Sequence, residues 1–251
     1  MLSYLTELFY PSTCLMCHRG VDTYDTLCAD CLRRLPRTEH QMLRENKIEM
    51  LFDDIFHHPR KHFDKPRFVR GGSWLHYDDG VARIIHSGKF FEHPAALEFM
   101  GRQAAEEWLE SGFFDGIDLL VPVPIHPRRL NERGFNQSEY ICRGMQSVLH
   151  LPIDTTTLVR VVNTPQQSRL KDNERLHNVE HAFRVPDPLP WHKKHILLVD
   201  DVITTGATMR NCIKEITPIR SCRMSIAVAE LTDSTPALLR AKRNTIAHAR
   251  S

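Results

Sequence analysis

Three groups of residues in this chain have types and spacings that can do chemistry. The first is ILLVDDVITTGAT, residues 196–208. An apolar run ends in Asp200 and Asp201, and after two aliphatic residues Thr204, Thr205, Gly206, Ala207 and Thr208 follow. Ionised carboxylates only accept hydrogen bonds, and two adjacent ones point to different sides of a strand. Each can therefore take a hydroxyl, and the vicinal hydroxyls of a ribose match such a pair. Gly206 permits close backbone approach just where a helix starts. The free N–H groups and positive end of that helix attract an anion, and the threonines add hydroxyl donors. The combination reads as a sugar held by acids, with its phosphate at the helix N-terminus. The acids are better suited to accepting hydroxyls than to acting as an acid/base pair or a metal cage. An ordinary capped helix after a core strand is the competing reading, and the paired acids weigh against it.

The second group is IHPRRLNERGFNQ, residues 125–137, which follows the apolar DLLVPVP. Arg128, Arg129 and Arg133 stand close to Gly134, and guanidinium forks hold phosphate oxygens in plane. Asn136 and Gln137 add donors. This is a candidate second anion site, with a solvated basic turn as the alternative. The third group is Cys14-x2-Cys17 and Cys28-x2-Cys31, with ten residues between the pairs. Two such knuckles suit one tetrahedral Zn²⁺, with sulfurs about 2.3 Å from the metal. Four thiolates close the coordination sphere, so the site is structural. About thirty residues cannot build a core alone and need such a staple. His18, beside Cys17, reads as a bystander.

The elements that must position these groups follow from patterning. The 251 residues are 41% hydrophobic and 25% charged, with 33 basic and 31 acidic side chains and a formal net charge of +2. This is ordinary globular composition, and the bulk charge makes no case for nucleic-acid binding. No apolar run reaches the roughly 18 residues of a membrane span. The N-terminal MLSYLTELFYP lacks a basic leader segment and contains Glu7, so an amphipathic helix stopped by Pro11 is expected. Unpaired Cys142, Cys212 and Cys222 fit a reducing compartment, and a cytoplasmic protein is expected.

Trp74–Tyr77 reads as a strand, GVARIIHSGKF as the start of a helix, and PAALEFMGRQAAEEWLESG as a helix with Leu97, Met100, Ala104 and Trp108 on one face. DLLVPVP, TTTLVRVV, HILLVDDV and MSIAVAEL read as strands, with SEYICRGMQSVL and the segment after TTG as helices. Alternating strands and helices predict an α/β fold with a parallel sheet. In such a sheet ligands sit at the carboxyl ends of the strands, which is where Asp200 and Asp201 fall. Four segments are expected: a zinc-binding module over 1–40, a connector over 41–70, an α/β domain over 71–235 and a basic tail over 236–251. Within the connector, RENKIEMLFDDIFHH carries either a short strand or a short helix.

ILLVDDVITTGAT resembles the 5-phosphoribosyl 1-pyrophosphate signature of type I phosphoribosyltransferases. VPVPIHPRRLNERGFNQ, QSRLKDNERLHNVEHAF and SGKFFEH resemble segments of the ComF family, in which a cysteine-pair zinc module precedes a phosphoribosyltransferase-like domain. The resemblance spans about residues 10–230, although PWHKKH and TPIRSCR lack glycines usual in the family. It implies that the acids contact ribose hydroxyls and that residues 204–208 wrap the 5′-phosphate. Mg²⁺ would bridge the pyrophosphate and the ribose, and Arg128, Arg129, Arg133, Gly134, Asn136 and Gln137 would form the pyrophosphate loop. It further implies a lid over residues 163–182 that excludes water, with Gln167, Arg175 and Asn178 matching the pattern; a plain surface loop with a short helix is the alternative. Lys89 either reaches the ligand or lies along a helix end. Two functions follow. One is a sugar-phosphate-binding protein of natural competence, working with single-stranded DNA and competence proteins such as a helicase or a DNA-loading factor. The other is an active phosphoribosyltransferase of nucleotide salvage with an unknown acceptor.

Overall fold

The computed structural model describes residues 13–22, 26–43, 45–56, 67–90, 94–163 and 182–232. In chain order the elements are α1 (Ala29–Arg33), α2 (Lys47–Phe56), β1 (Arg67–His76), α3 (Asp79–Phe90), α4 (Ala95–Trp108), β2 (Leu119–Pro122), α5 (Pro127–Arg133), α6 (Gln137–Leu149), β3 (Val159–Arg160), β4 (Phe183–Arg184), β5 (His195–Ile203), α7 (Ala207–Ile216) and β6 (Arg223–Leu231). The central sheet has the order β1-β6-β5-β2, and all three pairings are parallel. β3 and β4 form a separate antiparallel pair. The expected α/β architecture, with a central parallel sheet behind a four-cysteine module, is what the chain adopts.

β5 is apolar on both faces because both are covered. Leu197 and Val199 pack into one cluster with α3, α4 and α6, while Ile196 and Leu198 pack into another with α2 and α7. The face read from α4, Leu97, Met100, Ala104 and Trp108, is buried in the first cluster. α4 and α6 approach so closely that a Cβ at Gly101 would overlap the Ile141 carbonyl oxygen, and one at Gly144 would overlap that of Glu98. Cys14, Leu27, Cys31 and Leu35 belong to this same cluster. The cysteine module is therefore continuous with the main core.

Several elements differ from the sequence expectations. The helix-or-strand question in 41–70 is answered by α2, whose start is capped by Asn46: its Oδ1 accepts from Ile48 N (3.0 Å) and Glu49 N (3.2 Å). Ile48, Leu51 and Phe52 of α2 are buried in the second cluster. β1 starts at Arg67 rather than Trp74. Its Gly71 and Gly72 weaken the strand pattern, yet they are there because Ile48 lies over the first and Trp108 over the second. The basic loop contains the two-turn α5, with Pro127 at its first position, His126 Nδ1 accepting from Arg128 N (3.2 Å), and Gly134 closing it at φ 85°. TTTLVRVV contributes only the two residues of β3 to a ladder. The expected N-terminal helix, Gln167, Arg175 and Asn178 of the expected lid, and the 236–251 tail lie outside the described residues, as does the side chain of Lys89.

Candidate functional site

Asp200 and Asp201 lie near the carboxyl end of β5, beside the carboxyl end of β2, and the two are not equivalent. Asp200 is buried, 8% exposed, while Asp201 is half-buried. Asp200 Oδ1 accepts from Ser138 Oγ at 3.0 Å and from Asp201 N at 3.0 Å. Its charge bears on the buried thiols of Cys142 on α6 and Cys212 on α7, both already pushed well up by burial. Asp201 Oδ1 accepts from Val202 N at 2.8 Å.

The loop after the acids ends at Gly206, whose φ of 73° lies in the left-handed region and caps the ten-residue α7. Thr205 Oγ1 accepts from Ala207 N at 3.3 Å. A Cβ at Gly206 would come within 2.7 Å of Leu51 Cδ2 and 3.2 Å of Phe52. α2 thus roofs the loop from behind. It is clamped there by Arg210 of α7, which donates to Asp54 (2.7 and 3.1 Å) and to the Leu51 carbonyl (2.8 Å). Thr204 is exposed, and Thr205 and Thr208 are half-buried. The helix N-terminus and hydroxyls read from the sequence are therefore together on one edge.

The basic segment lies alongside. Val123 N donates to Val199 O (2.8 Å), and Asn136 Nδ2 donates to Val123 O (3.0 Å). With Ser138 on Asp200, this pins both ends of the 123–138 excursion next to the acids. The three arginines separate in role. Arg128 pairs with Glu132 at 3.0 Å on the solvent face of α5. Arg133 is driven below the usual guanidinium range by burial, against the pull of Asp201, with Arg129 adding repulsion. Among the described residues, the buried atoms Asn136 Oδ1 and Gln137 Nε2 have no hydrogen-bond partner.

Sequence reading missed four contributors. Ser138 stands one residue past the segment that was read, Arg210 sits mid-helix, and α2 lay in the presumed connector. Arg160, a lone cation inside LVRVV, is the one that left a signal. Burial lowers its pKa, Arg129 lowers it further, and Cys212 and Asp200 raise it. Glu230, 3% exposed and in register with Val202, is a further acid on the neighbouring strand.

In the N-terminal module, Cys14, Cys17, Cys28 and Cys31 converge with all four sulfurs within 4.8 Å of one another. A tetrahedral zinc with bonds of about 2.3 Å separates its sulfurs by about 3.8 Å, and Cys17 Sγ lies 3.7 Å from Cys28 Sγ. The donor set fits structural Zn²⁺. The Arg19 backbone N–H holds the Cys17 thiol down at about 6, and burial pushes Cys31 up to about 12. The module docks through residues 36–38 along β1: His76 N donates to Pro36 O (2.8 Å) and Thr38 N to Trp74 O (3.0 Å). Arg37 reaches Glu107 of α4 at 2.6 Å, and Trp74 Nε1 shares that carboxylate at 2.8 Å.

These features define a class: a four-cysteine zinc ribbon fused to a parallel α/β domain that carries an acid pair and a glycine-capped helix at the carboxyl end of an interior strand. The double zinc ribbon domain family matches residues 5–42. The DNA utilization protein YhgH of Escherichia coli K12 is 29% identical over 199 residues, 78% of this chain and 80% of its own length. The competence protein ComFC of Bacillus subtilis 168 is 36% identical over 91 residues, 36% of this chain and 35% of its own. The solved structure of Leishmania donovani UMP synthase is 12% identical at a TM-score of 0.31, with 79% of this chain matching 38% of that one; so low a score carries neither fold nor function. These sequence matches support an assignment to the ComF family. No helix among the described residues is long and apolar enough to cross a membrane.

Proposed function

We propose that the protein binds a sugar phosphate, 5-phosphoribosyl 1-pyrophosphate with Mg²⁺, at the carboxyl end of β5, and that it serves the handling of DNA in natural competence. One observation carries the binding reading: two unequal acids on β5 are followed within five residues by a left-handed glycine at the start of α7. Asp201 faces the site half-buried and accepts ribose hydroxyls, while Asp200 is braced by Ser138 and holds the second hydroxyl or its Mg²⁺. The 5′-phosphate takes the α7 N-terminus, and Arg129 and Arg133 take the pyrophosphate. If a nitrogen nucleophile attacks, the C1–O bond would break, a C1–N bond would form, pyrophosphate would leave with the C–O electron pair and the proton on nitrogen would pass to solvent. Positioning and charge stabilisation would supply the catalysis. The names of the two relatives support the DNA and competence reading over a salvage enzyme.

Isothermal titration of 5-phosphoribosyl 1-pyrophosphate with Mg²⁺ tests the site on the wild type and on Asp200→Asn/Asp201→Asn. The expected result is binding by the wild type alone; equal binding by both proteins, or none by either, overturns the reading. DNA contact is tested by anisotropy of labelled single strands across salt, where direct phosphate contact gives a steep slope. The ribbon itself offers little free charge for this. Arg19 and Arg33 pair with Asp30, and Arg37 with Glu107. A flat, weak response is therefore expected from the ribbon, leaving protein partners as its role.

A further inference from the structure

Arg210 of α7 grips α2 at three consecutive points. Its Nη1 donates to Asp54 Oδ2 at 2.7 Å and its Nη2 to Asp54 Oδ1 at 3.1 Å, a fork on one carboxylate. Nη2 also donates to the Leu51 carbonyl at 2.8 Å. The guanidinium carbon lies 5.8 Å from the Phe52 ring centroid. Such a grip needs a planar group with several directed donors, which an ammonium does not offer. The backbone of the same residue is tied to the loop, since Arg210 N donates to Gly206 O at 2.8 Å. One residue thus joins the start of α7 to the helix that roofs it.

The residues that Arg210 grips are also those that touch the loop. Gly206 holds φ 73°, and the space where a Cβ would stand is filled by Leu51 Cδ2 at 2.7 Å and Phe52 Cε1 at 3.2 Å. α2 has ten residues. A helix so short is marginal alone in water, so its place is set by what it packs against. Its start is pinned to β1: Asn46 Nδ2 donates to Gly71 O at 2.6 Å, and Gly71 N donates to Glu49 Oε1 at 3.1 Å. Arg210 pins the turns that follow. The Arg210 side chain is 19% exposed and that of Asp54 49%, and an ion pair so open to water adds little stability through charge alone. Its main consequence is geometric.

We propose that Arg210 is a positioning residue for the phosphate. By holding α2 against Gly206, it keeps the start of α7 in the shape that receives the 5′-phosphate, without touching the ligand itself. This rests on the reading of the α7 N-terminus as the phosphate site and adds the means by which that site is kept in shape. The competing role is a plain cross-link between α2 and α7. Losing a cross-link lowers the melting temperature and leaves ligand affinity as it was.

The test uses full-length zinc-loaded protein with Mg²⁺ and ribose 5-phosphate as the probe. Calorimetry and melting curves are run on the wild type, Arg210→Gln, Arg210→Lys, Gly206→Ala and the double variant Arg210→Gln/Gly206→Ala. Arg210→Gln is expected to weaken ribose 5-phosphate about fivefold, the drop that follows when the receiving shape is populated about one-fifth of the time. Arg210→Lys recovers part of this loss, because the charge stays and the fork does not. In the Gly206→Ala background, where the added carbon has already displaced the roof, Arg210→Gln should change affinity by less than about twofold, since two changes acting through one contact are not additive. If Arg210→Gln fails to fold, Asp54→Asn decides by the same comparison, because it breaks the ion pair and leaves the Leu51 carbonyl bond in place. Undiminished affinity with a lowered melting temperature overturns the proposal, as does an equal factor of loss in both backgrounds. A wild type that does not bind ribose 5-phosphate overturns the underlying site reading as well.

Discussion

The zinc ribbon and the acid-pair edge both crowd like groups together, and they manage the crowding in opposite ways. In the ribbon four thiols within 4.8 Å come from two short local knuckles. One metal bonds them all, and two of the four, Cys14 and Cys31, are buried in the core. At the acid pair, the groups that hold the carboxylates come from far along the chain: Ser138 is 62 residues from Asp200, and the clamp that fixes α2 over the loop spans 156 residues. Of the two carboxylates there, Asp200 is buried and Asp201 half-buried. A structural centre is closed by its own ligand set, whereas the acid pair is set in place by tertiary packing between distant elements.

The largest expected effect separates these two modes. Removing zinc, by Cys14→Ser or by a strong chelator, should cost several kcal/mol and lower the melting temperature by roughly 10 °C, because metal binding and folding of a small module are one process. The loss should spread to α3 and β1, since Leu27 and Leu35 of the module share a cluster with Trp74 and Val81. Metal analysis paired with calorimetric melting checks this. An unchanged melting temperature with the metal gone would make the ribbon an independent bead and dissolve the comparison.

Next in size is Gly206→Ala. A left-handed backbone costs a residue with a Cβ about 1–2 kcal/mol. Here the added carbon also meets Leu51 Cδ2 at 2.7 Å. The loop and the α2 roof must both shift, and ribose 5-phosphate affinity should fall by about tenfold, while zinc content stays full. Calorimetry with that probe reads it. Unaltered affinity would mean the helix start does not hold the phosphate.

The contrast also explains what was legible in the sequence. The cysteine quartet and ILLVDDVITTGAT are local, so spacing alone identified them, and the apolar run of β5 placed the acids at a strand end. The α4 face was legible because its period is written in four residues. α2 was not resolved as a helix because ten residues with acids at both ends fit two periods. Gly71 and Gly72 hid the first half of β1, because their reason is the packing of Ile48 and Trp108 against them. The bracing of Asp200, the clamp of Arg210 and the packing of Arg160 over Phe183 depend on pairings between distant elements, which no local pattern encodes.

A third effect appears only on acidification. His40 is 4% exposed at the junction of module and sheet, and its Nδ1 accepts from Ser73 N at 3.2 Å, which requires the neutral ring. Burial, with His76 and Lys47 nearby, pulls its pKa down to about 4. Its unfolded value is about 6.5, so the unfolded chain takes up the proton first. Stability is complete above about pH 6.5 and declines as pH falls towards 4. His40→Asn, which keeps an acceptor without titrating, should flatten the dependence of melting temperature on pH across that window. An equal slope in both proteins would remove His40 from the junction's pH response.

The smallest effect bears on the inequality of the two acids. Ser138 donates one hydrogen bond to Asp200 Oδ1, and the Asp201 N–H donates to the same oxygen. Ser138→Ala removes the first and leaves the second, so the carboxylate is weakened in its bracing but not orphaned. A single charge-assisted bond contributes about 1–2 kcal/mol, less where a second donor remains, and a chain of this size then melts about 2–4 °C lower. If Asp200 acts through its fixed orientation, ribose 5-phosphate should weaken about threefold with Mg²⁺ present, and Ser138→Thr, which keeps the hydroxyl, should restore it. The same Ser138→Ala change made on Asp200→Asn should then have almost no further effect on binding, because residues acting as one unit are not additive. Additive losses would show that Ser138 serves only α6, and that Asp200 holds its place through the packing of Cys142 and Cys212 around it.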